Sequence, residues 1–290
     1  MSEHVVIFAT DENYWEVLYV ALFSLCENNR DLNLKVFILS NGSNGEFNRR
    51  STVLMQTYKN VHIANIIVDH PARFEGLPTP FHFTKGCYYR LSIGRELLEI
   101  TQTVLYLDCD IIVRKSILEL LSTPLGDKII AAAPDPPSAN NWDRLGMPRG
   151  SHYFNSGVLL VDLERWRTED LEAQVCSYLK DNAERILWAD QDALNAILHH
   201  RCLPLNPIYN FGEGYSKLQR QGRITIDPAI AHFNGSIKPW HRHCTHLYKH
   251  EFQTYFLAAQ RAAGNQVGRR NELCPCGSGK RYKHCHGHWS

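Results

Sequence analysis

Residues 104–113 read Val-Leu-Tyr-Leu-Asp108-Cys109-Asp110-Ile-Ile-Val. A run of apolar and β-branched residues that ends in two carboxylates describes a buried strand delivering both acids to the edge of a sheet. Side chains two apart in an extended segment share a face, so Asp108 and Asp110 can converge on one hard cation while Cys109 turns into the core. Two oxygens on one side of a divalent ion leave positions open for substrate oxygens. That is the arrangement expected where Mg²⁺ or Mn²⁺ grips a diphosphate. An Asp-X-Asp by itself also fits two surface aspartates in a turn, and it is the apolar run before it that favours the buried strand.

The flanking chain alternates. Residues 4–10 form an apolar strand, Asp11-Glu12-Asn13 then cap a helix reaching about residue 28, and Val17, Val20, Ala21 and Ser24 face the sheet. A strand at 34–40, a helix at 44–59 and a strand at 61–68 follow, which predicts a parallel, doubly wound α/β sheet. Ligands of such sheets sit beyond the carboxyl ends of the strands, where Asp11, Asn13, Asp108 and Asp110 would lie. A helix over 86–98 carries Arg90, and a strand is expected at 128–133. The Pro-, Asn-, Gly- and Asp-rich segment 134–150 is long enough to be a lid, an acceptor wall or a surface excursion.

Further on, 153–162 reads as a strand and is followed by a helix through 179. Asp190-Gln191-Asp192 opens another helix; Asp190 fits an N-cap, whereas Gln191 has no such structural reason. A short strand leads into His232-Phe-Asn-Gly235-Ser-Ile-Lys238-Pro-Trp240, which combines an imidazole, a glycine and a cation. Beside Asp108 and Asp110, His232 is the natural third ligand. Residues 247–263 form a last amphipathic helix.

Composition excludes several classes. With 31 basic against 30 acidic residues in 290, there is no bulk attraction to nucleic acid or membrane. No stretch has the apolar length of a transmembrane helix, and the start lacks the regions of a signal peptide, so a cytoplasmic protein is expected, with peripheral attachment to the inner face of a membrane left open. Six of the nine cysteines (Cys26, Cys87, Cys109, Cys176, Cys202, Cys244) are scattered mostly through apolar segments, as reduced core thiols are.

Six segments, in order, resemble the retaining glycosyltransferases of family eight, which include lipopolysaccharide galactosyl- and glucosyltransferases and glycogenin. They are Ala9-Thr-Asp11-Glu-Asn13-Tyr14, Tyr89-Arg90-Leu, Leu105-Tyr-Leu-Asp108-Cys-Asp110, Phe154-Asn155-Ser-Gly157-Val-Leu, Asp190-Gln191-Asp192-Ala-Leu-Asn195 and His232 through Trp240. The resemblance implies a GT-A type, Rossmann-like nucleotide-diphospho-sugar transferase fold over residues 1–263. It also implies UDP-glucose or UDP-galactose as donor, a glycan, lipid-linked or protein acceptor, and Mn²⁺ or Mg²⁺ held by Asp108, Asp110 and His232. Asp11 and Asn13 would hold the uracil and ribose with Tyr14 packing nearby, and Gly235 and Lys238 would contact the diphosphate. Arg90, Asn155, Asp190 and Gln191 would surround the donor sugar, the Gln191 carbonyl stabilising an oxocarbenium-like centre and Asp190 anchoring sugar hydroxyls. Front-face attack is favoured over a covalent intermediate because an amide is a poor nucleophile. His82 and Thr84 sit where related enzymes begin their acceptor contacts.

The tail, 264–290, is a separate unit. Cys274, Cys276 and Cys285 with His286 read as a closed Cys₃His zinc site, with His284 a rival to His286. The tail resembles the SEC-C motif, a module that docks partner proteins, and it is locally basic. Two rival readings remain for the whole chain: a sugar-nucleotide-binding scaffold acting through its zinc tail, and a haloacid-dehalogenase-like phosphatase. The second also ends a strand in Asp-X-Asp but usually continues with Thr or Val where this chain has Ile112.

Overall fold

The computed structural model describes residues 3–69, 71–80, 84–100, 103–136, 141–264 and 281. His82 and the tail positions Cys274, Cys276, Cys285 and His286 lie outside them.

The strands are β1 (Glu3–Thr10), β2 (Asn33–Ser40), β3 (Val61–Ile67), β4 (Thr103–Leu107), β5 (Ile111–Val113), β6 (Ile130–Pro134), β7 (Phe154–Asp162), β8 (Cys202–Pro204) and β9 (Ile230–His232). The first strand explains why these segments are apolar throughout. Val6 and Phe8 enter one core cluster with the Trp15–Glu27 helix, while Val5 and Ile7 enter the other with Leu163, Trp166 and Leu171. Alternate side chains are thus buried on opposite faces, and each contributes roughly 1.5–3 kcal/mol.

Seven strands form the main sheet in the order β3-β2-β1-β4-β7-β6-β8. Strands β1 to β4 run parallel as the alternation predicts, but β7 is antiparallel to both β4 and β6, so the sheet is mixed. The acids come at the carboxyl end of β4, beside the end of β1 and Asp11.

The sequence reading of 104–113 as one strand is corrected by the structure: the chain leaves the main sheet after Leu107 and rejoins pairing at Ile111, in a separate two-stranded sheet with β9. The break has a cause on each side. The Asp108 N–H still donates to Gly157 O of β7 at 2.8 Å, whereas the Asp110 carbonyl accepts from Phe233 N at 2.8 Å, beyond β9. Between them Cys109 is buried, its thiol donating to Ala9 O at 3.1 Å. Register then does the decisive work, because pairing Ile111 with His232 sets the imidazole next to Asp110. The Lys249–Ala262 helix pins this small sheet, with Phe252 and Phe256 packed against Ile112, Ala231 and Phe233.

Other local expectations shift. Residues 86–98 form a 3₁₀ helix, Lys85–Ser92, followed by the α-turn Ile93–Glu96. The first helix starts at Trp15 without a side-chain cap, since Asp11 Oδ1 instead accepts from Asn13 N at 2.9 Å in a local turn. Segment 134–150 contains a helix, Asn141–Leu145. Among the described residues no helix is long and apolar enough to cross a membrane.

Candidate active site

A cavity of about 670 Å³ opens beyond the carboxyl ends of β1 and β4, lined by Asp11, Asp108, Asp110, Asp190, Gln191 and His232 among others. Each acid of the pair has one oxygen held by a cation. Asp108 Oδ1 accepts from Arg90 Nη2 at 2.7 Å and from the Tyr106 hydroxyl at 2.9 Å, and Asp110 Oδ2 is 2.6 Å from Lys238 Nζ. The other two oxygens face the histidine: His232 Nε2 lies 3.2 Å from Asp110 Oδ1 and 3.6 Å from Asp108 Oδ2. Burial opposes ionisation of Asp110, yet the Lys238 ammonium and the His232 ring prevail and hold its carboxyl well below the usual carboxylate range.

These three ligand atoms lie within 4.8 Å of one another. Two carboxylate oxygens and one imidazole nitrogen, with the cavity on the open side, suit Mn²⁺ or Mg²⁺ with positions left for ligand oxygens. The His232 ring is buried, and its Nδ1 is 2.8 Å from Asn210 Oδ1, the outer contact that usually orients a ligating imidazole. Close approach is possible because position 157 is glycine. A Cβ there would come 2.2 Å from His232 Cε1 and 2.6 Å from Asp108 Oδ2.

Arg90 joins the acids to the far wall. Besides Asp108, its Nε is 3.2 Å from Asp190 Oδ2, its Nη1 donates to Ser156 O at 2.7 Å, and its guanidinium lies 4.6 Å from the Tyr106 ring centre. Burial, only partly countered by Arg90, pushes the Asp190 carboxyl up to about 6. Gln191 is held at both ends. Its Oε1 accepts from Asn155 Nδ2 at 2.9 Å and Ser156 N at 3.2 Å, and its Nε2 donates to Asp135 Oδ2 at 3.0 Å and the Tyr153 hydroxyl at 3.2 Å. The amide carbonyl assigned from sequence to a developing positive charge therefore already serves two donors.

Not every expected residue converges. Asp11 and Tyr14 line the cavity, but the Asn13 side chain is exposed and does not. Lys238 lines it with Nζ bonded to Asp110 and to Phe233 O at 2.9 Å. Gly235 and Thr84 line it too, Thr84 donating its hydroxyl to Asp11 Oδ2. Of segment 134–150, Asp135, Pro136 and Asn141 reach the wall.

Sequence reasoning missed Asn210, Asp135 and the role of Asp192. Asn210 stands in an irregular stretch with no period to mark it. Asp192 was visible as part of Asp190-Gln191-Asp192, yet its work is internal. Fully buried, it accepts from Arg144 at 2.6 and 2.8 Å, from the Tyr153 hydroxyl at 2.7 Å, and from the N–H groups of Leu187 and Trp188 at 2.7 and 2.8 Å. The turn it fastens holds Ala189 at φ 45°, a left-handed conformation unusual for alanine, just before Asp190. No side-chain cap forms at this helix start, so Asp190 is free of the capping role.

The profile of glycosyl transferase family 8 matches residues 5–244, and the SEC-C motif matches residues 270–287. General stress protein A of Bacillus subtilis (strain 168) is 27% identical over 265 residues, covering 86% of this chain and 92% of that protein. Lipopolysaccharide 1,2-glucosyltransferase of Escherichia coli (strain K12) is 29% identical over 298 aligned positions, 96% of this chain and 84% of the other. Among solved structures, galactosyltransferase LgtC in complex with donor and acceptor sugar analogs superimposes with a TM-score of 0.79 at 26% identity, over 89% of this chain and 99% of that one. With the profile running from within β1 to beyond β9, and so across every strand that builds the cavity, the chain belongs to glycosyl transferase family 8 and is a hexosyltransferase.

Proposed function

We propose that this chain transfers glucose or galactose from UDP-glucose or UDP-galactose to a hydroxyl of a glycan, with retention at the anomeric carbon. The relatives named for lipopolysaccharide glycosylation make that polymer or a related glycan the natural acceptor class. The observation that carries the reading is the division of labour on the two acids. One oxygen of each is neutralised by Arg90 or Lys238, and the other meets His232 at the mouth of a cavity large enough for a nucleotide sugar. Asp108, Asp110 and His232 would hold Mn²⁺ or Mg²⁺, which when bound supplies positive charge for the leaving diphosphate.

The protein's own groups divide the remaining tasks. Asp11 and Tyr14 would receive the uridine, and Lys238 with the backbone at Gly235 the diphosphate. Arg90 fixes Asp190, whose ionised carboxylate, in place of the Gln191 carbonyl expected from sequence but engaged by two donors, would supply negative charge beside the sugar ring, while Asn155 and Gln191 shape the sugar wall. In a front-face reaction the acceptor oxygen bonds to the anomeric carbon as the bond to UDP breaks, and the acceptor proton leaves on a UDP phosphate oxygen. UDP release from UDP-glucose or UDP-galactose with Mn²⁺, set against phosphate release from phosphate esters, tests this. An α-linked product by proton NMR supports it; phosphate release, or UDP binding without turnover on any acceptor, contradicts it in favour of the phosphatase or the scaffold.

Cys274, Cys276, Cys285 and His286 are proposed to hold Zn²⁺ in the SEC-C tail and to dock a protein partner, in a protein that works in the cytoplasm. One equivalent of zinc by elemental analysis, lost in Cys276→Ser, is the expected result; equal zinc in both proteins would sink the assignment.

A further inference from the structure

Five buried or half-buried side chains form a directed line of four hydrogen bonds from the metal-site imidazole into the sugar wall. His232 Nδ1 lies 2.8 Å from Asn210 Oδ1, Asn210 Nδ2 donates to Asn155 Oδ1 at 2.9 Å, Asn155 Nδ2 donates to Gln191 Oε1 at 2.9 Å, and Gln191 Nε2 donates to Asp135 Oδ2 at 3.0 Å. The direction of this line is fixed by two backbone groups. The Gly157 N–H donates to the Asn155 oxygen at 3.0 Å and the Ser156 N–H to the Gln191 oxygen at 3.2 Å. A backbone N–H can only donate, so the atoms facing it must be the amide oxygens, and both amides are oriented without ambiguity. Asn155 Oδ1 then requires a donor from Asn210, which turns the Asn210 oxygen to His232. An amide oxygen can only accept. Nδ1 therefore carries a proton, and Nε2 is the nitrogen turned toward Asp108 and Asp110, where a cation would meet it.

We propose that Asn210 is a positioning residue with two separable tasks: its oxygen sets the His232 tautomer that binds the cation, and its NH₂ group holds Asn155 and, through it, Gln191. The inference rests on the donor-site reading above. No sequence motif singles out Asn210, and its side chain is 2% exposed, with both ends of the amide engaged on these two partners.

Two variants of the full chain separate the tasks. Asn210→Asp keeps an oxygen for the Nδ1–H but has no hydrogen for Asn155, and Asn210→Leu removes both. The readouts are the imidazole ¹⁵N signals of His232 in metal-free protein, assigned by their loss in His232→Gln, Mn²⁺ affinity by titration with the metal alone, and kcat for UDP release. The unsubstituted protein is expected to show an Nδ1–H imidazole. Asn210→Asp should keep that signature and bind Mn²⁺ within about threefold of normal, yet lose about tenfold in kcat with a smaller change in KM for the donor. Asn210→Leu should lose the tautomer preference and about 10- to 100-fold in Mn²⁺ affinity. An imidazole of the unsubstituted protein that carries no proton on Nδ1 overturns the proposal. So does an Asn210→Asp protein that keeps full turnover or loses Mn²⁺ affinity with it, or an Asn210→Leu protein unchanged in both. Because the imidazole signals need no metal, failure of the unsubstituted protein to bind Mn²⁺ would strike the donor-site reading, while the spectrum alone would still decide the tautomer.

Discussion

The space that a single missing methyl leaves at Gly157 is what allows β7 to pass behind the paired acids and His232. Because a Cβ there would overlap both His232 and Asp108, Gly157→Ala must push at least one of them off the shared point. Mn²⁺ affinity is expected to fall at least tenfold, with calorimetry on the metal-free protein registering a much smaller loss of stability; unchanged affinity would mean the ring and the acid do not need this closeness. Asp190 makes a second prediction, in pH. Its folded-state carboxyl, pushed up to about 6 by burial, lies above the ordinary carboxylate value, so the folded protein holds the proton more tightly than the unfolded chain. Stability contributed by that proton is full below about pH 4 and is lost as pH rises through about 6. Relative to Asp190→Asn, the metal-free protein should thus lose about 3 kcal/mol between those limits in denaturant melts. A difference that grows with pH would reverse the assignment.

The bend between β4 and β5 shows what a linear pattern can and cannot convey. The apolar run before Asp108, the apolar triplet after Asp110 and the inward Cys109 were all legible, because burial of alternate side chains imposes them locally. The change of sheet was not, because it depends on Phe233 and Gly157, each distant in sequence. His232 was readable as a third ligand from its residue type and from the resemblance; the register that delivers it is a property of the β5–β9 pair. Likewise the helix Ala189–Leu198 was visible, but its attachment was hidden in amide and carboxylate contacts that have no period. Asn195 binds Phe154 as a strand neighbour would, donating to its carbonyl and accepting from its N–H, both at 2.8 Å. Asp192 fastens the turn ahead of the helix. Asp192→Ala should leave Arg144, the buried Tyr153 hydroxyl and two backbone N–H groups without this acceptor, costing about 3–5 kcal/mol in urea unfolding. A loss below about 1 kcal/mol would show that water replaces the carboxylate.

Two layers of helix enclose the mixed sheet, and the cavity sits where β4 leaves it, between the main sheet and the small one that the last helix holds in place. The 213–220 helix closes one side, brought against the 134–136 segment by Gly214 and by the Tyr215 hydroxyl on Pro134 O at 2.8 Å. The candidate ligands thus come from the link that joins the main sheet to the small one and from β9, which makes the cavity and the metal point parts of one frame. If they are one, the cation must bind through both at once. The most direct measurement is a Mn²⁺ titration followed by electron paramagnetic resonance, with UDP present and absent, on the full chain and its His232→Ala and Asp110→Asn variants. One site that UDP tightens, weakened about 100-fold or more in both variants, is the predicted result. Mn²⁺ binding of equal strength in all three proteins, or binding indifferent to UDP, would contradict it.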